Sequence, residues 1–151
     1  MPKRNADEQS DNWCTSLALA NAVGEFHLDP ASNSRSHIRA QKKYCLEDGQ
    51  DGLALPLEGS VFLNPPYSNP LPWCERLRYH KSPWVALVKL DPTTKWWAAL
   101  MAGCSGWAPF RSRLKFERPD KPPFTANFPS ALVWYERRQA CKLSIQLWMA
   151  Q

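Results

Sequence analysis

The chain of 151 residues is long enough for one domain with a substantial core, since 44% of its residues are hydrophobic and 12% are aromatic. Nineteen lysines and arginines against fourteen acidic residues give a net charge of +5, which favours a polyanionic partner about as much as a merely basic soluble domain. The sequence shows no signal peptide, no apolar run of membrane-spanning length, and five scattered cysteines without disulfide or zinc-site spacing, so we expect a cytoplasmic protein with no membrane partner and no metal.

The first half of the chain alternates predicted helices with short predicted strands. Residues 1–10 are polar and are expected to form a flexible N-terminus before a single domain over residues 11–151. A helix is predicted over Ser16–Gly24, with Thr15 or Ser16 as its N-cap. There follow a strand over Phe26–Leu28, a basic helix or turn over Ser34–Lys43, a strand over Tyr44–Leu46 and a strand over Val61–Leu63.

The second half continues the alternation and ends with two further strands. The predicted elements are a helix over Trp73–Tyr79, a buried strand over Trp84–Val88, a helix over Lys95–Met101 capped by Thr94, and strands over Trp107–Phe116 and Ser130–Tyr135 around a proline-rich loop, Pro119–Pro129. The tail, Ala140–Ala150, fits a helix or a strand equally well. This alternation predicts an α/β fold with a mostly parallel sheet, helices on both of its faces and a C-terminal β-hairpin.

The four residues after the Val61–Leu63 strand, Asn64-Pro65-Pro66-Tyr67, indicate chemistry on a planar amino group. An exocyclic amine such as adenine N6 is a poor nucleophile because its lone pair is delocalised into the ring. Acceptors on its two N–H bonds favour a pyramidal nitrogen, and the Asn64 side-chain oxygen and the Pro65 carbonyl are candidates for them. The prolines stiffen the loop, and Tyr67 offers an aromatic face to a flipped base.

Two plainer interpretations of this motif remain. A proline pair can simply end a strand, because proline cannot continue a central ladder. The motif can also be a polyproline ligand, although such segments lie in solvated linkers and the PxxP spacing is absent.

Two aspartates upstream are expected at the same edge of the sheet as Asn64. Asp29 follows the first predicted strand, and Asp51 precedes Asn64 by thirteen positions. In α/β sheets, ligands bind outside the carboxyl ends of the strands, near the topological switch point. Asp29 is therefore a candidate for holding the amino group of a methionine-like moiety, and Asp51 for accepting from a purine amine or a ribose hydroxyl. The alternative for each is an ordinary loop or cap residue.

These motifs and their order resemble the phage-type DNA N6-adenine methyltransferases, a Dam-like family of class I enzymes that use S-adenosylmethionine. The matching stretches, within roughly residues 11–136, are Asp11–Ser16, Phe26–Ser32, Asp51–Leu53, Val61–Tyr67, Thr94–Trp97 and Arg113–Phe116. The resemblance implies a Rossmann-like class I methyltransferase fold, S-adenosylmethionine as the cofactor and adenine in DNA as the substrate. It also implies a location in the bacterial host cytoplasm, with a phage or prophage origin.

Carried onto matching positions, the resemblance makes Asn64, Pro65, Pro66 and Tyr67 the catalytic loop that binds the amine. It implies cofactor contacts at Trp13, Thr15, Asp29, Ala31 and Asp51. The chain departs from the family pattern at Ser16, where the family has proline, and after Asp29, where a G-x-G turn is missing. Glu47 and Asp48 are both candidates for binding the ribose hydroxyls.

Two basic clusters are candidates for binding DNA. The first contains Arg111, Arg113 and Lys115, with Arg118 beside them; the second contains Arg35, Arg39, Lys42 and Lys43. The alternative for both clusters is a solvated face.

Transfer from a sulfonium requires orientation of the amine, and neither a protein nucleophile nor a metal. Other functions consistent with the motifs are methyl transfer to cytosine N4, to an RNA base or to a protein glutamine. A function of a different class is non-catalytic nucleic-acid binding.

Overall fold

The computed structural model describes residues 14–118 and 121–137, which form three α-helices and nine strands. In chain order these are β1 (Cys14–Thr15), α1 (Leu17–Val23), β2 (Glu25–Ser32), β3 (Arg39–Cys45), β4 (Val61–Leu63), α2 (Leu71–Arg78), β5 (Trp84–Lys89), α3 (Lys95–Gly103), β6 (Gly106–Pro109), β7 (Lys115–Arg118), β8 (Lys121–Thr125) and β9 (Ser130–Tyr135). The predicted flexible N-terminus, Trp13 and the tail at Ala140–Ala150 lie outside the described residues.

The larger sheet has six strands in the order β3-β2-β4-β5-β9-β6. The pairs β2–β3, β2–β4 and β4–β5 are parallel, whereas β9 is antiparallel to both β5 and β6. The α/β class is thus confirmed, but this sheet is mixed. A second sheet, β1-β7-β8, is antiparallel throughout and was not predicted.

Strand β2 lies at the point where the strand order reverses. From β2 the chain passes to β3 on one side, and β4 then pairs with the other side of β2. Leu28 of β2 lies opposite Val61 of β4, so Ala31 and Asn64, three residues further along, reach a similar level at the carboxyl edge. This edge is where open α/β sheets place their ligands.

The prediction of a helix or turn over Ser34–Lys43 holds only for a turn at residues 33–36, and the rest is wrong because β3 takes up Arg39–Cys45. Arg39 lies opposite Glu25 at the start of β2, so residues 33–38 must return along most of that strand. That return covers roughly 20 Å at about 3.3 Å per residue. Six helical residues would span only about 9 Å. The register of the parallel pair therefore requires a largely extended connector.

The last third of the described chain also differs from prediction. The expected strand over Trp107–Phe116 is divided between β6 in the larger sheet and β7 in the smaller one. Strands β6 and β9 pair antiparallel, but β7 and β8 intervene in place of a simple hairpin. The loop predicted over Pro119–Pro129 contains β8, whose prolines are tolerated because β8 is an edge strand.

Helices cover both faces of the larger sheet, as predicted. Phe62, Val85 and Leu87 pack with α1 on one face, whereas the alternate residues of β4 and β5 pack with α2 and α3 on the other. Two predicted N-caps are confirmed: the Ser16 hydroxyl accepts from the Leu19 amide, and the Thr94 hydroxyl accepts from the Trp97 amide, both at 3.3 Å. Packing on both faces explains why β4 and β5 have unbroken apolar sequences.

Two expectations from composition concern the membrane and the thiols. Over residues 14–118 and 121–137, no helix is long and apolar enough to cross a membrane. In the same part of the chain, Cys14, Cys45, Cys74 and Cys104 are free thiols.

Candidate active site

Asn64 follows β4 directly, and its side chain meets the smaller sheet. Its Nδ2 donates to the Thr15 hydroxyl at 3.5 Å. Thr15 is held there by β1, which pairs with β7 so that Thr15 lies opposite Phe116. With the amide nitrogen engaged in this way, the Asn64 oxygen is left to accept from another donor.

The first cleft at this edge, the Asp29 cleft, has about 440 Å³ of open space. Six residues predicted from the sequence line it: Thr15, Asp29, Ala31, Asn64, Pro65 and Tyr67. The smaller sheet forms one of its walls, and the His37 Nε2 and Glu117 Oε2 atoms, 2.6 Å apart, join the β2–β3 connector to β7. The fold thus brings residues from three distant segments into one cleft.

Asp29 is a buried carboxylate, only 3% exposed, that lines this cleft. Burial raises the pKa of Asp29 to about 6, although hydrogen bonds from Ser32 and Ala31 and the positive charge of Lys43 oppose the shift. The Ser36 hydroxyl also donates to its Oδ2 at 3.3 Å. A carboxylate with so little water around it favours a cationic ligand that replaces the lost hydration.

A second cleft, the Asp51 cleft, has about 690 Å³ of open space and shares Ala31, Ser32 and Asn33 with the first. Asp51 and Pro66, two more of the predicted residues, line it. The two clefts therefore adjoin along Ala31–Asn33, and the buried Asp29 carboxylate lines the first of them. Of the nine predicted catalytic and cofactor residues, only Trp13 falls outside the described part of the chain.

The acidic residues of the Asp51 cleft differ in what they already bind. The Asp51 Oδ1 accepts from the Leu53 amide at 2.9 Å, so this carboxylate caps its own turn, in line with the plainer interpretation. Glu47 lines the cleft and accepts from the Ser34 amide, which lowers the pKa of Glu47. Asp48 does not line the cleft. Glu47 is therefore the better placed of the two candidates for ribose hydroxyls.

Gly52 allows the loop that carries Asp51 to approach the backbone of β2 closely. A Cβ at Gly52 would clash with the Pro30 carbonyl oxygen and lie 2.8 Å from the Trp73 ring. The Gly52 carbonyl accepts from Arg76 of α2, whose other terminal nitrogen donates to the Leu55 carbonyl at 2.7 Å. The loop carrying Asp51 is thus packed against β2 and held by α2.

Replacing Gly52 by alanine is expected to lower the free energy of unfolding by about 1–3 kcal/mol, because backbone must shift to admit the methyl group. Denaturant unfolding measures this. The matched substitution is Gly49→Ala, where φ is +76° and no atom lies within 4 Å of the added methyl group, so its cost of about 1–2 kcal/mol comes from the left-handed backbone alone. The loss in Gly52→Ala should exceed that of this control. Equal losses would contradict the packing role of Gly52.

Several lining residues carry no motif in the sequence. Asn33 accepts from the Cys14 thiol at 3.5 Å and from the Arg35 amide at 2.9 Å, which shapes the shared wall. Trp73 lies on α2 and reaches the cleft only through packing, and Arg76 of the same helix holds the loop that carries Asp51. A polar turn directly after a strand was the signal available for Asn33; the two α2 residues had none.

The predicted DNA-binding clusters lie in different settings. Arg111, Arg113 and Lys115 are exposed, in the β6–β7 connection and at the start of β7. The second cluster makes contacts within the chain: Arg39 bonds Glu25 at 3.2 Å, and the Lys43 ammonium donates to the Ser36 carbonyl at 3.2 Å. All three side chains of the first cluster are thus accessible to a partner.

The Tyr67 side chain is partly buried, and neighbouring side chains cover its ring. Its hydroxyl is buried and has no hydrogen-bond partner among residues 14–118 and 121–137. Burial raises the pKa of Tyr67, so the phenol stays protonated. Its ring meets Phe128 edge-on at 5.5 Å, and the Lys89 ammonium lies over the ring at 5.2 Å from the centroid.

Side chains that could ligate a metal do not cluster in the described part of the site. Within the described residues, no group of three or more histidine, cysteine, aspartate or glutamate side chains is placed to hold an ion.

Residues 3–140 match a family model described as DNA N-6-adenine-methyltransferase (Dam). Comparisons with curated proteins and with solved structures find no match.

Proposed function

The chain belongs to the DNA N-6-adenine-methyltransferase (Dam) family, and from this premise we propose that it transfers a methyl group from S-adenosylmethionine to adenine N6 in DNA. The observation that supports this best is the meeting of Asn64 and the buried Asp29 in one cleft at the β2–β4 switch point. The parallel strands around that point also support a Rossmann-like class I methyltransferase fold for this part of the sheet.

The residues of the two clefts fit S-adenosylmethionine. Asp29, buried and ionisable, binds the cationic amino group, and Thr15 and Ala31 complete that end of the site. The Asp51 cleft takes the nucleoside, with Glu47 accepting from ribose hydroxyls and Trp73 providing an aromatic wall. The close approach of Gly52 to Pro30 shapes this end. When bound, the cofactor supplies a methyl group activated by a sulfonium.

The catalytic loop acts on the amine of the flipped adenine. The Asn64 oxygen, left available by the bond from its nitrogen to Thr15, accepts one N–H, and the Pro65 carbonyl accepts the other. These bonds localise the nitrogen lone pair and orient it for in-line attack. Once nitrogen is methylated, the proton it carried passes to solvent, so the residues of the loop orient and polarise without becoming modified.

DNA is expected to approach over the smaller sheet. Three basic side chains are exposed in and near β7: Arg111, Arg113 and Lys115. Strand β7 pairs with β1, and β1 holds Thr15 next to Asn64. Phosphate contacts at these side chains would place the duplex next to the catalytic loop. The net charge of +5 supports a polyanionic substrate.

Incubating the intact protein with methyl-labelled S-adenosylmethionine and DNA, RNA or a glutamine-containing release-factor protein tests the function directly. We expect label on N6-adenine in DNA, and weaker transfer at higher salt because phosphate binding releases counterions. Label on cytosine N4, RNA or glutamine would move the function to that amine. Salt-sensitive DNA binding without any transfer would support the binding-domain alternative.

A further inference from the structure

A third cleft, the Lys89 cleft, lies against the same catalytic loop and has no role in the function proposed above. It has about 490 Å³ of open space, and its walls include Pro65, Tyr67, Pro70, Lys89 and Trp96. It shares Pro65 and Tyr67 with the Asp29 cleft. The loop that would hold the target amine is therefore bordered by a cleft with a carboxylate on one side and by a cleft with a cation on the other.

The walls of the Lys89 cleft suit a flat heteroaromatic group. The rings of Pro65 and Pro70 and the indole of Trp96 offer apolar surface beside the polar groups of Lys89 and Asp91, a combination that suits a base with ring nitrogens. The two adjacent tryptophans lie in different environments. Trp97 is buried in the core, whereas Trp96 is partly exposed and lines the cleft. Asp91 also lines it, but its carboxylate accepts from the Thr93 hydroxyl at 2.9 Å within a turn.

Lys89 follows the buried part of β5, and its ammonium lies over two aromatic rings. It is 5.2 Å from the Tyr67 centroid and 4.5 Å from the Phe128 centroid. A base that stacks on this face of Tyr67 must displace the ammonium from the ring. The displaced ammonium then lies at the edge of the base, where it can only donate, and the adenine ring nitrogens can only accept.

Building on the proposed function, we propose that the Lys89 cleft receives the flipped adenine, with Trp96 as a flat wall and Lys89 donating to a ring nitrogen. In the absence of DNA, Lys89 rests on the Tyr67 ring and occupies the place of the base. With DNA bound, the amine is held by the catalytic loop and the ring by Lys89. Lys89 and Trp96 are thus substrate-positioning residues for the target base.

The test compares Lys89→Met with Lys95→Met, a matched substitution at an exposed lysine that does not line the cleft. We expect K89M to lower transfer to DNA by about 10- to 100-fold, the effect of losing a hydrogen bond from a charged donor. Affinity for S-adenosylmethionine, measured by calorimetry, should stay unchanged. K95M should match the wild-type protein in both measurements. Circular dichroism melting verifies that both variants fold.

Adenine analogues identify the contact itself. DNA duplexes are prepared in which every adenine is replaced by 7-deaza-, 1-deaza- or 3-deazaadenine, so that one ring nitrogen is removed at a time. We expect one of these substituted DNAs to be methylated more slowly than unmodified DNA by the wild-type protein. The same substitution should not slow K89M any further, because that variant already lacks the contact. If each of the three analogues slows K89M by the same factor as it slows the wild-type protein, the proposal is contradicted. Lys89 would then contact a phosphate instead.

A second pair of variants keeps the proposal testable if K89M is unstable. Trp96→Leu should raise the KM for DNA with unchanged cofactor affinity, whereas Trp107→Leu, at a tryptophan 43% exposed and outside the cleft, should not. The proposal would be overturned if K89M transferred methyl groups as fast as K95M, or if W96L had the same KM for DNA as W107L. If the wild-type protein remains active, either result leaves the proposed function intact. A wild-type protein that methylates no DNA adenine would contradict the proposed function as well.

Discussion

Replacing Asn64 by alanine is expected to lower methyl transfer to DNA adenine by about 10²- to 10³-fold, the usual cost of removing one preorganised polar group from a reacting centre. The loss should appear in kcat, because the Asn64 oxygen acts on the amine as its lone pair localises. Affinity for S-adenosylmethionine should change little, since Asp29 and the Asp51 cleft are untouched. Single-turnover transfer of labelled methyl and calorimetric titration separate the two quantities.

Asn69→Ala is the matched control for this substitution. Asn69 is exposed on the same loop and lines none of the three clefts. It should retain wild-type transfer. An Asn64→Ala protein with full activity would refute the catalytic role, whatever its stability.

Replacing Asp29 by asparagine is expected to separate ligand affinity from stability. Loss of the buried anion should weaken S-adenosylmethionine binding by about 10²- to 10³-fold, as expected when one partner of a buried charge pair is removed. The fold should not suffer, because an ionised Asp29 is itself costly to bury. At pH 8, the free energy of unfolding of D29N should equal or exceed that of the wild-type protein.

The pH dependence follows from the raised pKa of Asp29. The pKa of Asp29 is about 6 in the folded protein, against 3.8, the ordinary value for an aspartate, in the unfolded chain. Between these values the native state binds the extra proton, so the free energy of unfolding falls as pH rises from about 4 to about 6. The cost is complete above pH 6 and amounts to about 3 kcal/mol at 1.36 kcal/mol per pKa unit.

Cofactor affinity should change in the opposite direction. Only ionised Asp29 attracts a cationic amine, so wild-type affinity should rise with pH through about 6 and then level off, whereas D29N should stay weak throughout. Urea unfolding and calorimetry between pH 5 and 8 measure both trends. Asp48→Asn, at an exposed aspartate outside the cleft, is the control. Wild-type affinity in D29N would contradict the role given to Asp29.

Much of the candidate site follows from two rules applied to the sequence. The apolar strands β4 and β5 predict buried, central strands, and the carboxyl ends of parallel strands meet at one edge. That is enough to expect Asp29 and Asn64 close together, and both line the Asp29 cleft. Their chemical roles stay predictions until they are measured.

Other parts of the fold depend on pairings between distant segments. Thr15 reaches Asn64 only because β1 pairs with β7, and the local sequence at Cys14–Thr15 holds no information about Phe116. The extended β2–β3 connector follows from strand register, which its basic residues do not encode. Local propensity therefore predicted the turn at residues 33–36 but not the strand that follows it.

By itself, the sequence determined the α/β class, the buried strands and the N-caps, because these depend on local periodicity and on side-chain hydrogen bonding. It also predicted a loop stiffened by two prolines directly after β4. The tertiary structure alone decided which side chains surround that loop. Trp73, Lys89 and Trp96 come from separate elements and have no shared motif. Only packing brings them to the loop, since cleft walls are set by long-range contacts that no local segment specifies.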